Sequence, residues 1–198
     1  MQNSTTKVRA LTGTAMLGAV AAVLMYLEFP IPIMPAFVKL DVSELPALIA
    51  SFAYGPVSGV LVCLIKNLIK LPSTSTAAVG ELFNFVMGAL FVGVAGIVYK
   101  RNKTRKGAIV GALLGALVMA VVSVPYNYFI VYPAYVVMYH LPLEAIIGMY
   151  QAINPSVDGL LTCLLVFNLP FTFVKGVLDA VLCFLIYKPL SPILHGRK

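Results

Sequence analysis

Apolar residues run almost unbroken through most of the chain, interrupted at intervals by short polar segments. A hydrocarbon core of about 30 Å takes roughly 20 apolar residues in a helix. Four windows of that length stand out: residues 10–29, 80–100, 107–132 and 169–188. Upstream of the last window apolar sequence continues back to Gly159, so its outer boundary stays open. Residues 45–71 are also apolar but are interrupted at Gly55-Pro56, where proline removes a backbone donor and glycine permits a turn. That segment is either one kinked helix or two short ones, 45–54 and 56–71.

The basic residues choose between these. With two helices the chain crosses six times, and Lys7 and Arg9, the KRNKTRK loop at 100–106, and Lys188, Arg197 and Lys198 share one face, which then holds 10 of the 14 basic residues. A single kinked helix would put the loop and the C-terminal cluster opposite the N-terminus and break the positive-inside bias. The expected fold is therefore all-α: one polytopic domain over 1–198, a six-helix bundle in the plasma membrane with both termini cytoplasmic. Glu28, Asp41, Glu44, Glu81, Glu144 and Asp158 then lie at or near the outer face, and Asp179 alone lies inside the last window. The first window is too long for the apolar region of a signal peptide and reads as a retained helix.

Composition agrees with the windows. At 61% hydrophobic and 11% charged, with a mean hydropathy of +0.97, the chain has too few charges to cover a soluble globule and too many apolar residues for a disordered one. The net charge of +7 would suit nucleic acid, but the basic residues gather at membrane boundaries and do not alternate with aromatics. Cys63, Cys163 and Cys183 stand singly in apolar runs, without disulfide or zinc spacing. There is no G-x-x-x-x-G-K-[ST] motif, so active transport would draw its energy from another chain.

Ionisable and amide side chains inside a membrane are the first candidates for function. Lys175 and Asp179, four apart, share a helix face, as an intrahelical ion pair, as ligand-binding groups, or as both. Lys66 and Lys70 share another face near the outer end of their helix and are expected to snorkel to the headgroups. The outer connection 30–45, PIPIMPAFVKLDVSEL, is stiffened by prolines and is expected to fold over the mouth of the bundle as a lid, with Ser43 capping the next helix. Asn84 and Asn127 lie in the outer third. Pro125 and Pro170 are expected to break helices near the same depth, freeing the carbonyls of Val121 and Val166. Tyr126, Tyr128, Phe129, Tyr132 and Phe171 supply flat surface there, although interfacial belts also collect tyrosines. Such a pocket suits an uncharged, flat heteroaromatic molecule with amide-like edges, and the outer half has no arginine for a strongly anionic one. Ala15, Ala19 and Ala22 form a small-residue stripe for close helix contact, with either a partner subunit or another helix of this chain.

Four blocks in order, KLDVSELPALIASFAYGPVSGVLVCLIKNLIK, GELFNF, YNYFIVYPAY and PFTFVKG, carry a resemblance. Over about residues 10–188 the chain resembles the riboflavin-specific substrate-binding subunit, or S component, of energy-coupling factor vitamin transporters. The resemblance implies six helices, a first outer loop acting as a lid, and a flavin pocket open to the outside. It also implies two kinds of partner, a membrane scaffold subunit that meets Ala15 and Ala19, and two cytoplasmic ATPases. It makes Asn127 and Lys175 look like flavin hydrogen-bonding residues. The chain departs from the family pattern at Thr172, where relatives carry asparagine.

The expected substrate-binding set is Lys39, Leu40, Asp41, Asn84, Asn127, Tyr128, Phe171, Thr172, Lys175 and Asp179. No catalytic residue, metal or cofactor is expected, and riboflavin is the transported ligand. The alternatives are an S component for another vitamin or for flavin mononucleotide, a self-sufficient secondary carrier or channel, and an intramembrane enzyme acting on a lipid or isoprenoid substrate. The last would need a catalytic set, which His140 and His195, on opposite faces, do not offer.

Overall fold

The computed structural model describes residues 4–35, 37–74, 76–140 and 142–195, without the side chains of residues 4–6, 139 and 188–195. The expected C-terminal basic cluster (the Lys188 side chain, Arg197 and Lys198) lies outside the described residues. Helix α1 is Ser4–Tyr26, α2 Glu44–Tyr54, α3 Pro56–Lys70 and α4 Val79–Arg101. α5 is Arg105–Tyr126 and α6 Tyr132–Tyr139, α7 is Leu143–Gln151, and α8 is Leu160–Cys163, followed by α9, Leu169–His195. A two-residue ribbon, β1 Phe29–Pro30 against β2 Lys39–Leu40, closes the loop after α1.

Five helical segments are long and apolar enough to cross a membrane: Lys7–Tyr26, Pro56–Ser73, Val79–Arg101, Arg105–Met138 and Leu160–Tyr187. The expected sixth, α2, has 11 residues, about 16 Å and so half the hydrocarbon thickness. Two other boundaries and one element differ from expectation. α1 ends at Tyr26, short of residue 29, because Phe29 and Pro30 enter the ribbon. The last helical run starts at Leu160, well before residue 169. The short α7 has no counterpart in the sequence pattern.

Pro125 and Pro170 do not break their helices. Beside each, the helix widens into a π-turn, Asn127–Val131 and Leu164–Asn168. The N–H groups of Tyr132 and Leu169 then bond carbonyls five residues back, those of Asn127 and Leu164. Helical hydrogen bonding thus continues past both prolines, as apolar surroundings demand.

Small residues set the packing. Along α5, Gly107, Ala108, Gly111, Ala112, Gly115 and Ala116 are all buried, a seam that lets backbones approach in lipid. A Cβ on Gly115 would lie 2.4 Å from the Phe91 carbonyl oxygen of α4, and one on Gly176 of α9 would lie 2.8 Å from Ala116 Cβ. The principal core lies along this seam and includes Leu48, Phe91, Val92, Met119 and Cys183. The run from α5 through α6 is about 50 Å long, more than a bilayer needs, and its far part joins α7 and α8 in a second core around Tyr132, Ile146, Tyr150 and Leu164.

Gly55 turns α2 into α3 at φ 107° and ψ 166°, a conformation essentially reserved for glycine. Since an added Cβ there meets nothing within 4 Å, Gly55→Ala isolates the backbone penalty. It is expected to lower stability by about 1–3 kcal/mol in detergent thermal unfolding, while Gly148→Ala, equally open and at a helical position, leaves the midpoint unchanged or raised.

Candidate functional site

A cavity of about 200 Å³ lies where the ribbon loop meets the ends of α1, α3 and α4 and the middle of the α5 and α9 runs. Phe37, Val38, Lys39 and Asp41 of the loop form one wall, so the loop is placed where a lid would be. Phe37 packs edge-on to Tyr132, Tyr135 and Tyr150, with ring centroids 6.3, 6.5 and 6.1 Å away. Beneath it, Tyr132 and Tyr150 share a hydroxyl–hydroxyl hydrogen bond, Tyr150 donates to Asn168 Oδ1 at 2.7 Å, and Asn168 Nδ2 donates back to Tyr132 at 3.4 Å.

Below the loop is a buried cluster of charge. Lys175 of α9 donates to Asp41 Oδ2 at 2.9 Å, and its ammonium lies 2.9 Å from Glu44 Oε2 as a charge contact without hydrogen-bond alignment. Lys66 of α3, fully buried, donates to Glu44 Oε1 at 2.7 Å and to the Ser43 hydroxyl. Ser43 in turn donates its N–H to Asp41 Oδ1 at 2.8 Å, and its hydroxyl bonds the same oxygen. The cluster ties the loop, the start of α2, α3 and α9 together. Burial works against ionisation of Asp41, but Lys175, Lys66 and the Ser43 hydrogen bond outweigh it and hold the carboxyl below its ordinary value near 3.8.

Several expectations change here. Lys175 does not pair with Asp179; its ammonium is drawn to the two carboxylates above, and among the described residues neither Asp179 oxygen has a hydrogen-bond partner. Asp179 is fully buried and does not line the cavity. Lys66 and Lys70 do not snorkel. Lys66 is held by Glu44, while Lys70 lies 3.4 Å from Glu28 and over the Tyr26 ring. The Ser43 side chain makes no capping bond, being committed to Asp41 and Lys66.

Of the expected set, Lys39, Asp41, Asn84, Asn127, Phe171, Thr172 and Lys175 line the cavity, and Leu40 does not. Tyr128, 39% exposed, turns outward and packs on Phe129, because the π-turn carries Asn127 and Val131 inward instead. Asn84 Oδ1 accepts from Asn67 at 3.2 Å, and Asn127 Nδ2 donates to the Ser123 carbonyl at 2.8 Å. Ala15 and Ala19 face out of the bundle, which answers the intrachain alternative for both, whereas Ala22 is 4% exposed and packs inside.

The pattern did not point to Glu44, Glu81 or Asn168 as lining residues. Glu81 is buried, and its Oε2 accepts from Thr74 at 2.8 Å and Thr76 at 2.9 Å. Asn168, an amide in an apolar run two residues before Pro170, carries the same kind of signal as Asn84 and Asn127 and could have been found by it. Among the described residues no group of three or more His, Cys, Asp or Glu is placed to hold a metal. The cavity therefore offers amides, hydroxyls, ring faces and mutually paired charges, which favour binding of a polar-edged aromatic molecule.

Comparison with known proteins adds three findings. Residues 9–187 match the family model described as ECF transporter, substrate-specific component. The riboflavin transporter RibU of Staphylococcus aureus is 32% identical over 180 residues, 91% of this chain and 89% of that protein. The riboflavin transporter FmnP of Bacillus subtilis is 35% identical over 195 residues, 97% of each. A solved structure of the S component of a bacterial ECF transporter superposes with a TM-score of 0.74 at 31% identity, covering 95% of this chain and 98% of that one.

Proposed function

The chain belongs to the substrate-specific components of ECF transporters, and on that premise we propose that it captures riboflavin from outside the cell for ATP-driven uptake. The energy would come from partner subunits, a membrane scaffold and two cytoplasmic ATPases, with no chemistry performed on the ligand. The observation that carries this reading is the lid-walled cavity, where Asn84, Asn127, Asn168 and Thr172 stand among Phe37, Tyr132 and Phe171. Amides can read the polar edge of an isoalloxazine while the rings cover its face. The reading places both termini in the cytoplasm. The structure supports this indirectly. A Cβ on Gly13, in the first half of α1, would meet Tyr54, and Phe52 contacts Tyr99 and Tyr187, so the first half of α1, the end of α2, the end of α4 that leads into the KRNKTRK loop and the Tyr187 part of α9 gather at one end of the bundle.

Charge favours riboflavin over its phosphate. Glu28, Asp41, Glu44 and Glu81 line the cavity against Lys39, Lys70 and Lys175, four carboxylates to three ammoniums, and each lysine already faces a carboxylate, Lys39 and Lys70 sharing Glu28 and Lys175 meeting Asp41. A phosphate would enter a wall whose described carboxylates outnumber its ammoniums. The purified protein is expected to copurify with yellow flavin or to quench added riboflavin fluorescence, and flavin mononucleotide is expected to compete at least tenfold less well, about 1.4 kcal/mol. A folded sample that neither carries nor quenches flavin overturns the proposal; equal competition by the phosphate overturns the preference.

A further inference from the structure

A second cavity, of about 510 Å³, lies at the opposite end of the bundle, and the capture reading leaves it without a role. Its wall is aromatic. Phe52 of α2 stacks on Phe184 of α9, with centroids 6.1 Å apart and planes 14° apart, and meets Tyr99 and Tyr187 edge-on at 5.0 and 6.4 Å. Its rim is the exposed connection from α4 to α5, with Lys103, Thr104 and Arg105. The lining includes no carboxylate, and among the described residues no ion pair engages Lys103 or Arg105. Thr104 is already committed, accepting from the Gly107 N–H and donating to Asn102 Oδ1, both at 3.0 Å. That leaves the two cations facing outward at the start of a 22-residue helix, where the backbone also favours an anion. The helix surfaces beside the cavity are apolar and exposed, with Val110 and Val181 each at 50% and Leu185 at 68%, as surfaces against lipid are.

We propose that this cavity binds one anionic phospholipid from the adjoining leaflet. Its phosphate would lie on Lys103 and Arg105, and the upper part of an acyl chain would lie against Phe184 and Tyr187. A basic rim alone would hold headgroups diffusely, as any cationic membrane boundary does. The aromatic well makes the site discrete, because it needs an apolar group joined to the anion, which free phosphate lacks. On the reading above, which places this end in the cytoplasm, it opens onto the leaflet where anionic lipids are concentrated, so a lipid is favoured over a soluble ligand or a protein segment.

The test is native mass spectrometry of the full-length protein in detergent, titrated with phosphatidylglycerol and in parallel with phosphatidylcholine. One saturable phosphatidylglycerol adduct is expected. The double variant Lys103→Gln/Arg105→Gln is expected to weaken it about 30-fold, the worth of two basic contacts at a membrane surface. The control pair Lys100→Gln/Lys106→Gln removes equal charge beside the cavity and is expected to retain it. Riboflavin quenching is followed on every sample; retained quenching shows a folded bundle, and adduct formation without quenching in the wild-type chain would sink the capture reading alone. Equal adducts with both lipids, or equal losses in the two double variants, overturn the lipid site. Displacement by inorganic phosphate at the lipid's own concentration shows an anion site only. Loss of partner-dependent uptake in Lys103→Gln/Arg105→Gln, when the wild-type chain itself forms no phosphatidylglycerol adduct, assigns the cavity to a protein partner, and both outcomes overturn it too.

Discussion

Lys175→Ala is expected to weaken riboflavin binding on the order of 100-fold, with a marked drop in thermal stability. In the wild-type protein two ammoniums, Lys66 and Lys175, serve two carboxylates, Asp41 and Glu44, in a nearly dry space. Without Lys175, Asp41 loses its partner at 2.9 Å. Breaking a buried pair by removing one member costs about 3–5 kcal/mol because the other charge is left behind. The lid is attached to α9 through that pair, so it would lose its tie to the bundle. Adding Asp41→Asn to Lys175→Ala removes the stranded charge and is expected to restore most of the thermal midpoint. If affinity returns with it, Lys175 acts only through the lid; if affinity stays low, its ammonium also meets the ligand. Unchanged affinity in the single variant would remove Lys175 from the site altogether.

The same clasp has a defined response to acid. A carboxyl whose folded pKa is depressed contributes its stabilisation above the ordinary value, and that contribution fades only as the pH falls through the lower folded value. Asp41 is such a group, with its ordinary value near 3.8. Riboflavin affinity is therefore expected to stay flat from about pH 8 to about pH 5. A titration step inside that window would show that the Asp41–Lys175 tie does not govern closure.

The second large effect is expected at Ala15 and Ala19, which face out of the bundle one turn apart. Tryptophan at either position leaves this chain's own packing alone but would hold a partner helix away. Overpacking a close contact costs up to about 3 kcal/mol, on the order of 100-fold in docking. Uptake in the presence of the scaffold and ATPase subunits should fall to background, while riboflavin quenching by the isolated protein stays as it was. Val181→Trp, at an exposed position on α9, is the control and should leave uptake intact. Normal uptake in the α1 variants would exclude docking along this face.

The sequence disclosed the helical architecture because a hydrocarbon core imposes a length on every crossing, and residues 80–100 match α4 to within a residue at each end. It disclosed Asn127 and Lys175 because a polar group in an apolar run is conspicuous wherever it points. It did not disclose who pairs with whom. Lys66 and Glu44 are 22 residues apart, and Lys175 and Asp41 are 134 apart; neither spacing has a local signature. The i, i+4 rule offered Asp179 to Lys175, and two carboxylates from distant segments outcompeted it. Tyr128 was misplaced because helical phase was carried evenly through residues 127–131, where the turn is wider than 3.6 residues.

That wider turn also constrains which deletions the chain can absorb. A π-turn accommodates one residue more than the regular helix, so every side chain beyond it is offset by about 100° around the axis. Asn127–Val131 and Leu164–Asn168 flank the cavity, and Tyr132 follows directly on the first while Asn168 closes the second. Removing one residue from either turn would leave a helix that is locally more regular, yet would swing the downstream aromatic or amide groups away from the cavity. Length in these two segments is thus under a stricter requirement than residue identity at most positions within them.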